Sequence, residues 1–292
     1  MQELKIKAID NLELSCLYVK QDMAKANILI IHGMIEHKER YIELINELEK
    51  SGFNVIIFDL RGHGESINDE YKLGQIGSID LMVSDIYQVF SYIKKHNPNI
   101  PNYVFSHSMG TLLSREFIKK YSFEIDKLIL SGTVAYKPFC YLGVILAKMK
   151  SGNKGKNKYS KLLFSFSNDM KTKEDFSWLS YNLDNIKRYT SDPLCSFKFT
   201  NFSNYVLFKM THNLHKHNKK DMHNPNLKIM SISGIDDRTT LHTKGVKDSM
   251  KHLLFEGYSN LSYYEYPNMK HEILQEDGKN EVIKDIIKFF EE

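Results

Sequence analysis

The stretch VFSHSMGTLLS, Val104–Ser114, decides how this chain is read. Valine and phenylalanine lead into Ser108, which stands between His107 and Met109-Gly110, and helix-forming residues follow at once. A strand that turns sharply into a helix at a serine lifts the hydroxyl clear of the sheet, where a neighbouring base can take its proton. That tight turn usually reads G-x-S-x-G, whereas this one reads Ser106-His107-Ser108-Met109-Gly110. Serine is the next smallest polar choice for the first glycine position and fits if strand and helix separate slightly. Alone, x-S-x-G after a strand is a weak signal that ordinary turns share, so the rest of the chain must supply partners.

Outward from this turn, short apolar runs recur: NILIIHG (27–33), NVIIFDLRG (54–62), KLILSG (127–132) and KIMSISG (228–234). They do not alternate, which suits strands of a parallel sheet covered on both faces. Helical patterns lie between them. In SIDLMVSDIYQVFSYIKKHNP, Met82, Ile86, Val89, Phe90 and Ile93 form one stripe, Ser78 is the predicted N-cap, and Pro98 stops the pattern. NEVIKDIIKFFEE places Val282, Ile283, Ile286, Ile287 and Phe290 on one face. The first twenty residues alternate apolar and polar like a half-exposed hairpin and lack the apolar run of a signal peptide. The prediction is an α/β fold with a mostly parallel central sheet flanked by helices. From about Val134 to about His223 the chain is rich in Lys, Asn, Ser, Phe and Tyr and offers no buried strand. It is too long for a loop and is read as a helical insertion. The predicted core is therefore 1–133 and 224–292, with a cap or lid at 134–223.

Composition narrows the function classes. With 292 residues, 42% of them hydrophobic, the chain can bury a sizeable core. Its net charge of +4 comes from 40 basic and 36 acidic residues spread along the chain, which argues against nucleic acid as the partner. Three widely spaced cysteines, Cys16, Cys140 and Cys195, read as reduced thiols of a cytoplasmic protein and give neither a disulfide framework nor a zinc motif. The longest apolar run, FCYLGVILA (139–147), is shorter than the roughly 20 residues that span a bilayer.

In an open α/β sheet, ligands bind beyond the carboxyl ends of the strands, and three further constellations fall at such ends. IIHGMIEHKERY places His32-Gly33 after the first strong strand, where a glycine lets the Met34 N–H point into the same crevice as the Met109 N–H. Two converging N–H donors make an oxyanion hole. SISGIDDRTT delivers Asp236 and Asp237 after a buried strand, and His271 follows the last strand candidate, which ends at Pro267. Nucleophile, acid, then histidine is the chain order of an α/β-hydrolase triad.

Taken together, HGMIEHKERY, FDLRGHGES (58–66), SHSMG, SDPLCSFKFT (191–200), GIDDRTT and KHEILQE resemble the monoacylglycerol lipase and lysophospholipase branch of the α/β-hydrolase superfamily, a serine aminopeptidase S33-like group. The resemblance covers almost the whole chain, and Ser106 in place of the elbow glycine is its clearest departure. It implies an α/β-hydrolase fold and selects Asp237, three residues after Gly234, over Asp236. Arg238 stands where a proline is common. The resemblance implies Ser108 as nucleophile, His271 as base, Asp237 as its orienting acid, and the N–H groups of Met34 and Met109 as oxyanion donors, with no metal and no cofactor. It implies a serine carboxylester hydrolase for single-chain acyl esters, of monoacylglycerol or lysophospholipid type. An aminopeptidase or amidase with the same triad, or a non-catalytic ligand-binding protein on the same scaffold, are the alternatives.

Arg61, His63 and Ser66 are read as a structural loop whose polar side chains bond backbone. The cluster His212, His215, His217 and His223 is read as a solvated, Lys-rich segment, and Asp192-Pro193 as a turn. FCYLGVILAKMK is expected either to line an acyl-chain tunnel or rest on a lipid surface, giving transient membrane contact through the cap, or simply to pack against neighbouring helices. Chain length, head group and oligomeric state are not set by the sequence.

Overall fold

Four consecutive strands, β3 (Asn27–Ile31), β4 (Asn54–Phe58), β5 (Asn102–His107) and β6 (Lys127–Ser131), are buried at every residue, as their unbroken apolar runs require. The computed structural model describes residues 1–152, 154–163, 176–216 and 224–292. The predicted hairpin forms β1 (Gln2–Lys7) and β2 (Glu13–Val19), antiparallel to each other, with β2 antiparallel to β4. All other pairings are parallel and end at β7 (Lys228–Gly234) and β8 (Leu261–Tyr266), in the order β1-β2-β4-β3-β5-β6-β7-β8. Chain direction across the sheet reverses between β3 and β5. The loops leaving these two strands therefore part to opposite faces and open a crevice at their carboxyl ends.

Helices close both faces. On one, α2 (Ile79–His96) buries the predicted stripe Met82, Ile86, Val89, Phe90 and Ile93 beside α3 (Met109–Tyr121). The Ser78 hydroxyl accepts from the Leu81 N–H at 3.3 Å, and the helix stops before Pro98. On the other face lie α1 (Ile42–Lys50) and, near the chain end, α8 (Lys279–Glu291), which buries Val282, Ile283, Ile286 and Phe290 while Ile287 is only partly covered. Each fully buried Ile, Val or Phe of these stripes contributes about 1.5–3 kcal/mol relative to exposure.

Between β6 and β7 the described residues form α4 (Cys140–Ser151), α5 (Leu183–Ser191) and α6 (Asn201–Asn213) and contain no strand. α4 lies against α6 so closely that a Cβ on Gly143 would sit 3.0 Å from the Phe208 ring. Its buried residues are the small ones, Cys140, Gly143 and Ala147, whereas Phe139 and Met149 are more than 70% exposed. Among the described residues, no helix is long and apolar enough to cross a membrane. After β7 comes α7 (His242–Phe255), which packs on β7 and β8.

Candidate active site

Ser108 occupies the single residue between β5 and α3, with φ 51° and ψ −119°. A non-glycine residue there is strained and must be held by its surroundings. Its N–H donates to the Ser131 carbonyl at 2.9 Å, and its own carbonyl accepts from the Thr111 N–H and hydroxyl at 2.8 and 2.7 Å. Gly110 is fixed by close approach: a Cβ would lie 2.3 Å from the Ile31 carbonyl oxygen. Ser106 needs no displacement of its strand. It stays in register with Ile31 and Leu130, is fully buried, and donates its hydroxyl to the Ile129 carbonyl at 3.2 Å.

The loops after β7 and β8 bring two more predicted residues to the same point. The His271 Nε2 lies 2.8 Å from the Ser108 Oγ, and its Nδ1 lies 2.9 Å from Asp237 Oδ2. Asp237 is completely buried, and its other oxygen accepts from the Thr239 N–H at 2.7 Å. Burial pushes its carboxyl up, but the His271 charge and hydrogen bond, with Thr239, outweigh that and hold it below the usual aspartate range. It is thus an acceptor, so His271 Nδ1 carries the proton and Nε2 is free to accept from the serine hydroxyl. Burial lowers the His271 pKa, yet Asp237, Glu272 and Glu36 raise it above the ordinary imidazole value. His107, its ring 4.8 Å from that of His271, is held neutral by burial and by its neighbour's charge, its pKa driven down to about 3. Asp236 is used elsewhere and accepts from the Tyr181 hydroxyl at 3.0 Å.

The loop after β3 completes this side of the crevice. His32 donates from Nδ1 to the Gly33 carbonyl and accepts at Nε2 from the Leu60 N–H, both at 2.8 Å. A Cβ on Gly33 would meet Ser108 Cβ at 3.0 Å and the Glu36 carboxylate at 2.6 Å, so glycine is needed for the loop to touch the elbow. Met34 lines the cavity beside Ser108. Met109, the first residue of α3, is buried and has a backbone N–H with no intrahelical acceptor.

Sequence reasoning missed what holds this loop. The Gly33 N–H donates to Glu36, which also accepts from the Tyr41 hydroxyl at 2.9 Å and pairs with Arg40 at 3.3 Å. Arg40 reaches Glu272, the residue after His271, at 2.8 Å, and Asn185 donates to the same carboxylate at 2.6 Å. His37 Nε2 meets Asp192 at 2.8 Å while Nδ1 contacts Glu39. Burial favours the neutral ring, but hydrogen bonds to Cys195, Glu39 and Asp192 raise its pKa to about 11. The imidazolium therefore pins the Asp192-Pro193 turn to the loop after β3. The stretch 58–66 braces the same loop: Asp59 accepts from Lys38 N–H and Nζ at 2.8 and 2.9 Å. Arg61, His63 and Ser66 lie away from Ser108. Only part of their expected bonding to backbone is found, because Arg61 binds the carboxylates of Asp10 and Asp85 instead.

A cavity of about 140 Å³ opens over Ser108 and His271. The second group missed from the sequence forms its roof, with Phe176, Trp178, Leu179 and Tyr189 all from the stretch between β6 and β7. Trp178, the only tryptophan, has its ring 5.2 Å from that of His271. No residue of α4 lines this cavity, and α4 lies against α6 instead, so of the alternatives left open for FCYLGVILAKMK the packing one describes its buried side. Cys16, Cys140 and Cys195 are buried free thiols. Of the histidine cluster, His212 lies 3.9 Å from the Cys140 sulfur and His215 contacts Asp248, while His217 and His223 lie outside the described residues.

A family model described as serine aminopeptidase, S33, matches residues 22–278. Mouse monoglyceride lipase is 31% identical over 187 residues, which cover 63% of this chain and 57% of that protein. A monoglyceride lipase homolog of monkeypox virus is 34% identical over 107 residues, covering 36% of this chain and 38% of the viral one. Among solved structures, a thermostable carboxyl esterase from Bacillus coagulans superposes with a TM-score of 0.86 at 23% identity, covering 99% of this chain and 97% of the other. The monoacylglycerol lipase of Paleococcus ferrophilus gives 0.76 at 23% identity, over 95% and 98% of the two chains. At these identities the structures speak for a shared fold, the α/β-hydrolase fold.

Proposed function

The chain belongs to the serine aminopeptidase, S33, family, and from that premise we propose that it is a serine carboxylester hydrolase for single-chain acyl esters of monoacylglycerol or lysophospholipid type. The observation that carries the reading is the hydrogen-bonded series Ser108 Oγ, His271 and Asp237, at 2.8 and 2.9 Å. In this reading Ser108 Oγ attacks the ester carbonyl carbon as His271 Nε2 takes its proton. The N–H groups of Met34 and Met109 receive the charge that develops on the carbonyl oxygen, each worth about 3 kcal/mol in a preorganised, partly dry site. As the tetrahedral intermediate collapses, the imidazolium gives its proton to the departing alcohol. Water, deprotonated by the same ring, then releases the acid from Ser108. Residues 134–223 act as a cap that supplies the cavity roof.

Two features favour esters of one chain. The cavity is smaller than the roughly 300–1,000 Å³ of drug-sized ligand sites, and its roof is aromatic and aliphatic, suited to one slim acyl group. An aminopeptidase would need a carboxylate left over to hold the substrate ammonium. The carboxylates lining this cavity, Glu36 and Glu272, are both bound to Arg40. A panel of monoacylglycerol, lysophosphatidylcholine, triacylglycerol and an aminoacyl amide, graded by chain length, tests the reading with His271→Ala as control. Single-chain esters should exceed the others by about 10-fold or more, the discrimination that a few misplaced methylenes produce. Turnover of the amide alone would overturn it.

The raised His271 pKa has a signed consequence. The ring works as base only when neutral, so kcat/KM should fall as pH drops through a limb above the usual histidine value of about 6.5. Asp237→Asn removes the leading cause of the rise. Its limb should move to lower pH while the plateau falls by about 10⁴-fold, because the wrong tautomer then dominates. A limb that stays in place in this variant would contradict the assignment of Asp237.

A further inference from the structure

We propose that Tyr189, from the inserted stretch, is a positioning residue for the reaction: its hydroxyl holds Ile35 in a left-handed backbone conformation and so keeps the neighbouring Met34 N–H in place beside Ser108. The inference rests on the hydrolase reading above, in which Met34 is one of two oxyanion donors. Ile35 has φ 59° and, among the described residues, is the only β-branched residue at positive φ. Such a backbone brings Cβ against the following carbonyl oxygen, so it persists only where the surroundings over-determine it. Met34 and Ile35 are the central pair of a turn that runs from Gly33 to Glu36, and of these two only Ile35 has positive φ. Turns with positive φ at the third residue alone usually place glycine or asparagine there. Glycine would need no hold at this position. Isoleucine does.

Two sets of bonds supply the hold. Within the loop, Glu36 accepts from the Gly33 N–H across the turn and is itself fixed by Tyr41 and Arg40. That secures the peptide before Met34. The other end is secured from outside the loop, where Tyr189 on α5 donates its hydroxyl to the Ile35 carbonyl at 2.9 Å. The Tyr189 ring is buried, with the Arg40 guanidinium 5.0 Å from its centre, so the hydroxyl has little freedom to leave. Asp192, three residues further along the same stretch, meets His37 Nε2 at 2.8 Å and makes a second tie to this loop. Without the hydroxyl, the Ile35 carbonyl loses that donor and the residue can relax to negative φ. It does so by turning the peptide that it shares with Met34, which draws Met34 out of position. A misplacement of about 1 Å at a group that must meet developing charge is enough to cost about 100-fold in rate.

The test is a double-mutant cycle read on a monoacyl ester, because glycine takes positive φ at no steric cost. Tyr189→Phe keeps the ring and removes the hydroxyl. In the otherwise native chain it should lower kcat by about 10- to 100-fold and leave KM within about three-fold. Fluorophosphonate labelling of Ser108 should slow by the same factor as kcat, since attack on phosphorus also places charge on an oxygen in the crevice. In the Ile35→Gly background, with Ile35→Gly itself as reference, Tyr189→Phe should change kcat by no more than about three-fold. Ile35→Asn, which also tolerates this backbone, takes the place of Ile35→Gly should the glycine variant not fold. Equal losses in both backgrounds would overturn the proposal, because a tyrosine that only props the inserted stretch acts alike with either residue at position 35. So would a Tyr189→Phe variant whose kcat stays within about two-fold of native. A native chain that neither turns over the ester nor takes the label overturns the hydrolase reading and this inference with it, whereas activity without the coupling overturns this inference alone.

Discussion

Ser108→Ala should lower kcat on a monoacyl ester by about 10⁴- to 10⁶-fold and leave the protein folded. The substitution keeps the Cβ that Gly33 faces, opens no cavity, and inherits the same φ of 51°, so stability should move little. What disappears is the Oγ held 2.8 Å from His271 and, with it, the proposed route to an acyl-enzyme. KM for the same ester should stay within a few-fold, because the cavity lining is untouched. Labelling by a fluorophosphonate should be lost outright. His271→Ala should cost about as much, and the double variant no more than either single one, because the two groups act as a unit in the same proton transfer. A Ser108→Ala protein that keeps a tenth of its turnover, or still reacts with the probe, would remove Ser108 from the chemistry and with it the proposed hydrolase.

The parts of this site that sequence could give are those whose position follows from a strand end. Ser108, Asp237 and His271 lie just beyond β5, β7 and β8, and unbroken apolar runs plus chain order were enough to bring the first two to one edge of the sheet. Gly110 was legible for the same reason: a helix packed against the end of β3 leaves no room for a side chain. The Arg40 network was not legible, because Glu36 and Arg40 follow β3, Asn185 sits on α5 and Glu272 follows β8, and they share no periodic signal. Nor were Phe176 and Trp178, which lie in a stretch whose polar composition hides the few large residues that turn inward.

α4 shows a different limit. Hydrophobicity predicts that its large residues are buried, yet Cys140, Gly143 and Ala147 face α6 and the larger Phe139, Tyr141, Leu142 and Met149 are exposed. Close helix packing selects small residues, as a Cβ on Gly143 would press on Phe208. A pattern that scores apolarity without size therefore picks the wrong face. Among the described residues, this exposed apolar face with Lys148 and Lys150 beside it is where the lipid contact expected from the sequence would have to fall.

Arg61→Met should cost about 3–5 kcal/mol in equilibrium urea unfolding, the largest stability loss expected from a single substitution outside the crevice. Arg61 is fully buried and forks onto Asp85 at 2.8 and 2.9 Å, with its third nitrogen reaching Asp10 at 2.7 Å. Asp85, on α2, is itself 1% exposed, and burial pushes its carboxyl up to about 6 against the pull of the guanidinium. Removing the guanidinium leaves that carboxylate in the core with no counter-charge, whereas Asp10, about one-third exposed, can turn to water. The loss should therefore come from the stranded Asp85 and only in small part from the missing attraction. Arg61→Met/Asp85→Leu separates the two, because an apolar pair of similar volume removes both desolvation penalties at once. It should recover most of the lost stability and leave kcat within a few-fold, since neither residue lines the cavity. A double variant no more stable than Arg61→Met would mean that the guanidinium's fork, and not the uncompensated carboxylate, holds the loop after β4 in place.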